Sequence, residues 1–217
     1  MKCTKLLLLI FFTFFLSSFS QEEEVFGGSD KVTAALEGKV YKLPENTNHL
    51  PNFDNLRPVS TIYATELNIP NHDFSSGFPG VSELLEWFGI EYTGDIFVKK
   101  AGNYNFRLLS DDGAKLFIND SLVINNDGIH AATSGYGSIF LDEAKHRIKV
   151  QYFQGPRYHI ALQLFYTFEE EKEQLFPGKE ITLTIPSVYT KKGMWVLLFL
   201  IVLGGGIIFV QIKRKKK

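Results

Sequence analysis

Two adjacent carboxylates, Asp111 and Asp112, are the residues of this sequence whose types and spacing point most directly to chemistry. They stand in the segment Ser110-Asp111-Asp112-Gly113, and Asp and Gly tolerate the backbone dihedrals of a tight turn. Calcium takes six to eight oxygen ligands, and two carboxylates on one rigid turn bring negative charge to one point. A turn without any ligand would use the same residues, so the residues alone leave a metal site and a plain turn both open.

Strand-like segments surround this turn. Within residues 96–117, Tyr104, Phe106 and Leu108 alternate with polar residues, which is the period of a strand with one buried face. The pattern predicts a central hairpin whose two strands meet at the acidic turn. Further hairpins are predicted around residues 119–121 and around residues 142–145. Many short strands separated by turn signals indicate an antiparallel sandwich or barrel.

Both ends of the 217-residue chain have the composition of targeting and membrane segments. Residues 1–20 combine Lys2 and Lys5 with an apolar run and small residues, as in a secretory signal peptide cleaved after Ser20. Residues 194–212 hold no charged side chain over about 19 positions, the length of a transmembrane helix. Basic residues 213–217 follow, which predicts a cytoplasmic tail and an exported N-terminal domain.

The chain is therefore expected to have six parts. They are a signal peptide (1–20), a disordered leader (21–32), a β-sandwich domain (33–168), an acidic stalk that could include an edge strand (169–193), a transmembrane helix (194–212) and a basic tail (213–217). Residues 21–212 carry 16 basic and 24 acidic side chains. An acidic exterior argues against nucleic acid as a partner and is compatible with cations or neutral ligands.

Catalysis is not indicated by any motif. The five histidines are scattered, and the sequence contains no H-E-x-x-H, no G-x-S-x-G and no phosphate-binding glycine loop. Glycoside hydrolysis uses two carboxyl groups, but these stand about 5–9.5 Å apart across a cleft. Adjacent Asp111 and Asp112 suit a metal ion better, so we expect that the protein is not an enzyme.

The order of segments resembles the protective-antigen (PA-14 type) domain family, a β-sandwich found in bacterial toxins, fungal adhesins and some glycosidases. The matching segments are VYKLP (40–44), FDNLRP (53–58), FPGV (78–81), AGNYNFRLLSDDGAKLFIND (101–120), NNDGIH (125–130) and HRIKVQYFQGP (146–156). Together they span roughly residues 33–168. The resemblance implies an all-β fold, an antiparallel sandwich, and the apolar run at residues 194–212 predicts one C-terminal transmembrane helix after it.

The resemblance also implies a metal site. In the adhesin members of the family, paired aspartates joined by a cis peptide bind calcium, and the ion contacts hydroxyls of a bound sugar. Carried over, Asp111 and Asp112 are that pair. A later loop, residues 154–158 here, adds ligands in the family, and Gln154 stands about where the adhesins have Asn. Its side chain still offers an amide oxygen, which is an acceptable calcium ligand.

Four further residues are predicted to contact the ligand itself. They are Gly155, Arg157 and Tyr158 in the later loop, and Tyr136 in the glycine-rich loop SGYG. Aromatic faces stack on sugar rings, and Arg donates to hydroxyls or carboxylates. Alternatively, Tyr136 and Tyr158 only cover an edge of the sandwich.

The expected function is calcium-dependent carbohydrate recognition or adhesion. The protein would be a single-pass membrane protein, with its N-terminal domain at a cell surface or in a periplasm. Its partners would be a carbohydrate or a surface or envelope protein, and the membrane through residues 194–212. The alternative is a structural or assembly module that docks a partner protein without metal or sugar.

Overall fold

A computed structural model describes residues 35–74, 77–81 and 84–184. The expected signal peptide, leader, transmembrane segment and tail lie outside these residues. The strands are β1 (Leu36–Lys42), β2 (Ser60–Ala64), β3 (Asn68–Asp73), β4 (Phe88–Val98), β5 (Gly102–Asp111), β6 (Ala114–Ile118), β7 (Ser121–Asn126), β8 (Thr133–Leu141), β9 (Lys145–Gln154), β10 (His159–Phe168), β11 (Gln174–Leu175) and β12 (Ile181–Leu183). One 3-10 turn covers Phe53–Asn55. Within the described part of the chain, no helix has the length and apolar content of a membrane span.

Two antiparallel sheets form the sandwich. The first sheet has the order β2-β1-β4-β9-β6-β7, and β12 pairs with the far end of β4. The second sheet has the order β11-β10-β5-β8, and β3 pairs with β10. Apolar side chains from both sheets fill the core between them. The expected all-β antiparallel fold is therefore confirmed.

The alternation predicted for the central strand is confirmed in β5. Tyr104, Phe106 and Leu108 are buried in the core, whereas Asn103 and Asn105 are exposed. Successive side chains of a strand point to opposite faces, so one face of β5 packs into the sandwich and the other meets solvent.

The predicted central hairpin is wrong in its pairing. The turn does connect β5 to β6, but β5 pairs with β10 and β8, whereas β6 pairs with β7 and β9 in the other sheet. The hairpin expected around residues 142–145 fails in the same way, because β8 and β9 belong to different sheets. The hairpin of β6 and β7 is confirmed, with Asn119 and Asp120 at φ of 50° and 63°. A turn signal is local and carries no information about which sheet receives the next strand.

The folded domain extends beyond the boundary expected at residue 168. β11 pairs with β10 at the edge of the second sheet, and β12 pairs with β4 in the first. Phe176 and Ile181 are fully buried, so this part of the expected stalk completes the core. Tyr136 likewise differs from expectation, because it lies within strand β8 and not in a loop.

Candidate functional site

The Asp111–Asp112 peptide marks the point where the chain passes from the second sheet to the first, and it is a cis peptide. Gly113 allows this turn to lie against its neighbours. A Cβ on Gly113 would meet Phe153 Cε1 at 2.5 Å and the backbone nitrogen of Gly128 at 2.7 Å. The backbone oxygen of Gly113 also accepts a hydrogen bond from Phe153 N at 2.9 Å. The acidic turn is thus packed closely against strand β9 and the loop after β7.

Backbone N–H groups from two loops hold the carboxylates. Asp112 Oδ2 accepts from Gly155 N at 2.7 Å in the loop between β9 and β10. Asp112 Oδ1 accepts from His130 N at 3.3 Å in the loop between β7 and β8. The backbone N–H of Ala132, in that same loop, lowers the pKa of the Asp111 carboxyl group. The turn and the two loops therefore form one structural unit at this end of the sandwich.

Both carboxylates are almost completely removed from water, with 7% of Asp111 and 4% of Asp112 exposed. Burial raises the pKa of each above its usual value, and the neighbouring Asp111 charge raises the pKa of Asp112 further. Backbone N–H groups oppose these increases, as do His159 and His130 at Asp111 and His130 at Asp112. No Lys or Arg of the described residues forms an ion pair with either carboxylate. Two buried carboxylates without a Lys or Arg partner among the described residues favour a divalent cation at this point.

Gln154 is the last residue of β9 and is fully buried. Its Nε2 donates to the backbone oxygens of Pro156 and His159, both at 3.1 Å, and so shapes the loop that carries Gly155. Its Oε1 accepts a hydrogen bond from the hydroxyl of Tyr152. A carbonyl oxygen has two lone pairs, so one of them remains for another partner.

The donor set fits calcium better than a transition metal. No group of three or more His, Cys, Asp or Glu side chains suited to a metal ion is found in the described part of the chain. Calcium accepts carboxylate, amide and backbone carbonyl oxygens, whereas zinc relies on nitrogen and sulfur ligands. Asp111, Asp112 and Gln154 would supply side-chain oxygens, and backbone carbonyls of the adjoining loops could complete the shell.

The structure brings most of the predicted ligand-contacting residues to this site. Gly155 touches the pair directly, while Arg157 and Tyr158 follow it as exposed side chains of the same loop. The backbone oxygen of Tyr158 accepts from Phe74 N at 3.1 Å, which ties the loop to the end of β3. Tyr136 is not brought to the pair. It lies opposite Arg107, well down strand β5 from the turn, and 73% of it is exposed.

Two residues near the site were missed by the sequence reasoning. Tyr152 connects the turn to Gln154, and its hydroxyl lies 2.6 Å from the backbone oxygen of Asp111. Trp87 donates its backbone N–H to the oxygen of Gly155 at 3.3 Å. Tyr152 is one of several alternating apolar positions in β9, and Trp87 is one of several large apolar residues in the segment LLEWF (84–88), so neither residue carries a sequence signal of its own.

Comparison with known proteins gives one family match. Residues 46–177 match the family model described as "PA14 domain", which is more than half of the chain. A curated relative is the anti-sigma-I factor RsgI3 of Acetivibrio thermocellus, 24% identical over 110 residues. That match covers 50% of this chain and 17% of the relative, so this chain spans far less than two thirds of that protein.

Two solved structures show the same fold. One is the PA14 domain of the MpAFP antifreeze protein, with a TM-score of 0.55 and 20% identity over 76% of this chain and 93% of that one. The other is described as the PA14 sugar-binding domain from an RTX adhesin, with a TM-score of 0.54 and 18% identity over 70% of this chain and 99% of that one. At such identities the likeness concerns the fold alone.

Proposed function

Because the chain belongs to the PA14 domain family, we propose that it binds carbohydrate through a calcium ion held by Asp111 and Asp112. The observation that carries the proposal is the buried pair of carboxylates, which has no Lys or Arg partner among the described residues. When bound, calcium supplies open coordination positions that vicinal sugar hydroxyls can fill. The name of the RTX adhesin structure supports the choice of ligand, since that domain is described as sugar-binding.

Within this proposal the residues of the chain have separate roles. Asp111 and Asp112 hold the ion, and Gln154 adds its amide oxygen. The loop containing Gly155, Arg157 and Tyr158 presents its exposed side chains to the sugar. The role is binding and not catalysis. The proposed signal peptide at residues 1–20 directs the domain out of the cytoplasm, and the proposed membrane segment at residues 194–212 anchors it.

Calorimetric titration with calcium tests the metal site. The purified protein should give a binding isotherm that is lost in Asp112→Asn. Asp120→Asn is the matched control, because Asp120 lies on the exposed β6–β7 turn and tolerates the same exchange without touching the site. A glycan array with calcium and with chelator then tests the ligand. Absence of heat in the wild type would exclude calcium, and chelator-insensitive glycan binding would exclude its role in recognition.

A protein-docking role is the second candidate, favoured by the outer face of β8. Tyr136 and Phe140 expose 73% and 59% of their surfaces there, on the same side of the strand. Large exposed aromatic side chains are enriched where proteins meet partners. Capture of a defined envelope protein that is lost in Tyr136→Ser with Phe140→Ser, and unaffected by chelator, would favour this candidate over the first.

A further inference from the structure

Strand β8 is an open edge of the second sheet. It pairs with β5 on one side, and none of the described strands pairs with it on the other. β8 is nine residues long and contains neither a charged residue nor a proline. Its pairing with β5 runs from Gly102–Leu141 to Ser110–Thr133 without a register shift. A long, regular and uncharged edge of this kind is a template for pairing with another chain.

The other outermost strands are protected against such pairing. β2, β11 and β12 are short, with five, two and three residues. β3 contains Pro70 and ends at Asp73, and the pairing of β7 with β6 has a register shift between Leu116 and Phe117. Short length, proline, charge and bulges are the features that keep an edge strand from pairing. Among the described outermost strands, β8 alone lacks all of them.

Alternate residues of β8 direct their backbone groups towards this open edge. The backbone oxygen of Asn103 accepts from Glu169 N, so the backbone groups of Asn103 point towards β10 and away from Phe140, its partner on β8. Hydrogen-bonded and non-hydrogen-bonded pairs alternate along an antiparallel ladder. The N–H and C=O groups that face outwards are therefore those of Ser134, Tyr136, Ser138 and Phe140. None of these groups is hydrogen-bonded to another backbone group in the described part of the chain.

The outward-facing residues also carry the exposed side chains of β8. Tyr136 and Phe140 are largely exposed on the solvent side of the sheet, with exposed Ser138 between them. The inner side is covered by β7, so closely that a Cβ on Gly137 would overlap the backbone oxygen of Val123. The accessible part of β8 thus consists of its hydrogen-bonding edge and its aromatic outer face.

From these observations we infer that β8 is a dimerisation strand, which pairs antiparallel with β8 of a second copy of this chain. Two identical antiparallel strands are related by a two-fold axis, so each outward N–H or C=O meets its complement in the other copy. A strand without charges meets its own copy without the repulsion of like charges directly opposite each other. The second sheets of the two copies then form one continuous sheet. The inference does not depend on metal or carbohydrate binding.

The aromatic side chains select the register of this pairing. With the two-fold axis at Ser138, Tyr136 lies opposite the partner's Phe140, and Phe140 lies opposite the partner's Tyr136. Directly opposite aromatic side chains stabilise a pair of strands. On the inner side, the same register sets Gly137 opposite the partner's Ile139, a small residue against a large one. Only this register gives both Tyr136 and Phe140 an aromatic residue directly opposite.

The size of the contact predicts a reversible dimer. Complete coverage of Tyr136 and Phe140 in both copies removes at most about 1,000 Å² from water, at about 150–250 Å² for each aromatic side chain. That area is near the lower limit for a specific protein–protein interface. We therefore expect monomers and dimers of the purified protein to exchange, with a dissociation constant in the micromolar range.

Disulfide formation on the two-fold axis tests the pairing and its register in the full chain, solubilised in detergent. The sequence has one cysteine, Cys3, so the variants are made in a Cys3→Ser background. Opposite Cα atoms of a hydrogen-bonded antiparallel pair lie about 5.5 Å apart, within the range for a disulfide. Ser138→Cys should give a disulfide-linked dimer under mild oxidation. Ser60→Cys is the matched control, because Ser60 is an exposed serine on edge strand β2 of the other sheet.

Charge reversal tests the same contact without a covalent bond. Ser138→Lys and Ser138→Asp each set like charges opposite each other across the axis. Each should raise the dissociation constant of the dimer at least about tenfold in sedimentation equilibrium. An equimolar mixture of the two variants should restore the dimer, which also shows that both variants are folded. Ser60→Lys should dimerise like the wild type.

The outcomes separate this inference from its alternatives. If the wild type stays monomeric and Ser138→Cys gives no more dimer than Ser60→Cys, the inference is overturned. If the wild type dimerises and both charged variants dimerise equally well, the contact lies elsewhere and the inference is also overturned. If Ser138→Cys captures a different protein when it is oxidised in the expressing cells, and not its own copy, the strand belongs to that partner. Failure of the calcium titration would remove the proposed function and leave this inference standing.

Discussion

The hydroxyl of Tyr152 donates a short hydrogen bond to Oε1 of Gln154, two residues further along β9, and lies 2.6 Å from the backbone oxygen of Asp111. A phenol has one proton, so this hydroxyl serves two acceptors in turn. Tyr152 is completely buried, and burial raises the pKa of its hydroxyl well above the usual value. The core of the sandwich thus supports the acidic turn and the loop beyond β9 through one buried donor.

Removing that donor should destabilise the domain. Tyr152→Phe leaves the oxygens of Asp111 and Gln154 without their buried donor, at a cost of about 1–3 kcal/mol in the free energy of unfolding. Tyr92→Phe is the matched control, because the buried hydroxyl of Tyr92 has no hydrogen-bond partner among the described residues. It should leave the free energy of unfolding unchanged or increase it. Urea unfolding of both variants provides the measurement, and equal losses would contradict this account.

The stability of the domain should depend on pH because the Asp111–Asp112 pair is buried. Burial raises the pKa of Asp112 in the folded state, so in chelator the native state binds more protons than the unfolded state. The contribution of Asp112 to stability is therefore fully present below its unfolded pKa and is lost as pH rises through the raised folded pKa. In chelator, acidification from neutral pH should therefore raise the melting temperature of the wild type more than that of Asp112→Asn.

Comparing how the melting temperature changes with pH in the wild type and in Asp112→Asn separates the contribution of Asp112 from those of other titratable groups. Arg107, for example, lowers the pKa of Glu173 and gives a contribution of the opposite sign, which is the same in both proteins. Parallel melting curves in wild type and Asp112→Asn would show that the carboxylate is not perturbed as described. Saturating calcium should remove the gain on acidification, because protons then compete with the ion for the same oxygens.

Gly155→Ala should weaken calcium binding without unfolding the loop. The added Cβ would stand 3.0 Å from Asp112 Oδ2, closer than ordinary van der Waals contact, so the carboxylate must shift. Gly155 is not one of the residues with a positive φ, so its backbone accepts alanine. We expect roughly a tenfold loss of calcium affinity by calorimetry. The melting temperature in chelator is the control, and a large drop there would attribute the loss to misfolding.

An ion pair on the outer face of the second sheet should contribute modestly to stability. Arg107 donates through Nε and Nη2 to the two oxygens of Glu173, at 2.8 and 2.6 Å, and its guanidinium lies 4.0 Å from the centre of the Phe165 ring. Glu173 is 41% exposed, so solvent screens the pair. Arg107→Lys loses both the two-point hydrogen bonding to Glu173 and the stacking on Phe165. It should lower the free energy of unfolding by about 0.5–1 kcal/mol at low salt.

A second surface pair serves as its control. Lys100 and Glu171 stand 3.9 Å apart, and both side chains are largely exposed. Lys100→Arg should leave the free energy of unfolding unchanged within about 0.5 kcal/mol. If Arg107→Lys is equally neutral in urea unfolding, the planar geometry at Arg107 has no energetic role.

Local patterns identified the strands but not their partners. The alternation of Tyr104, Phe106 and Leu108 correctly assigned one face of β5 to the core, since side-chain direction follows from the strand period. The same reasoning paired β5 with β6, which the structure places in different sheets. A turn between two strands looks alike in sequence whether the second strand returns to the same sheet or crosses to the other.

For the candidate site too, some features follow from the sequence and others depend on the tertiary structure. The adjacency of Asp111 and Asp112 is a property of the chain itself, so the sequence by itself determined that two carboxylates occupy one turn and that a metal is a reasonable occupant. Their burial, the backbone donors that hold them and the approach of Trp87 to Gly155 come from segments distant in sequence. Only the tertiary structure decided these, because the packing of two sheets determines which loops meet at one end of the sandwich.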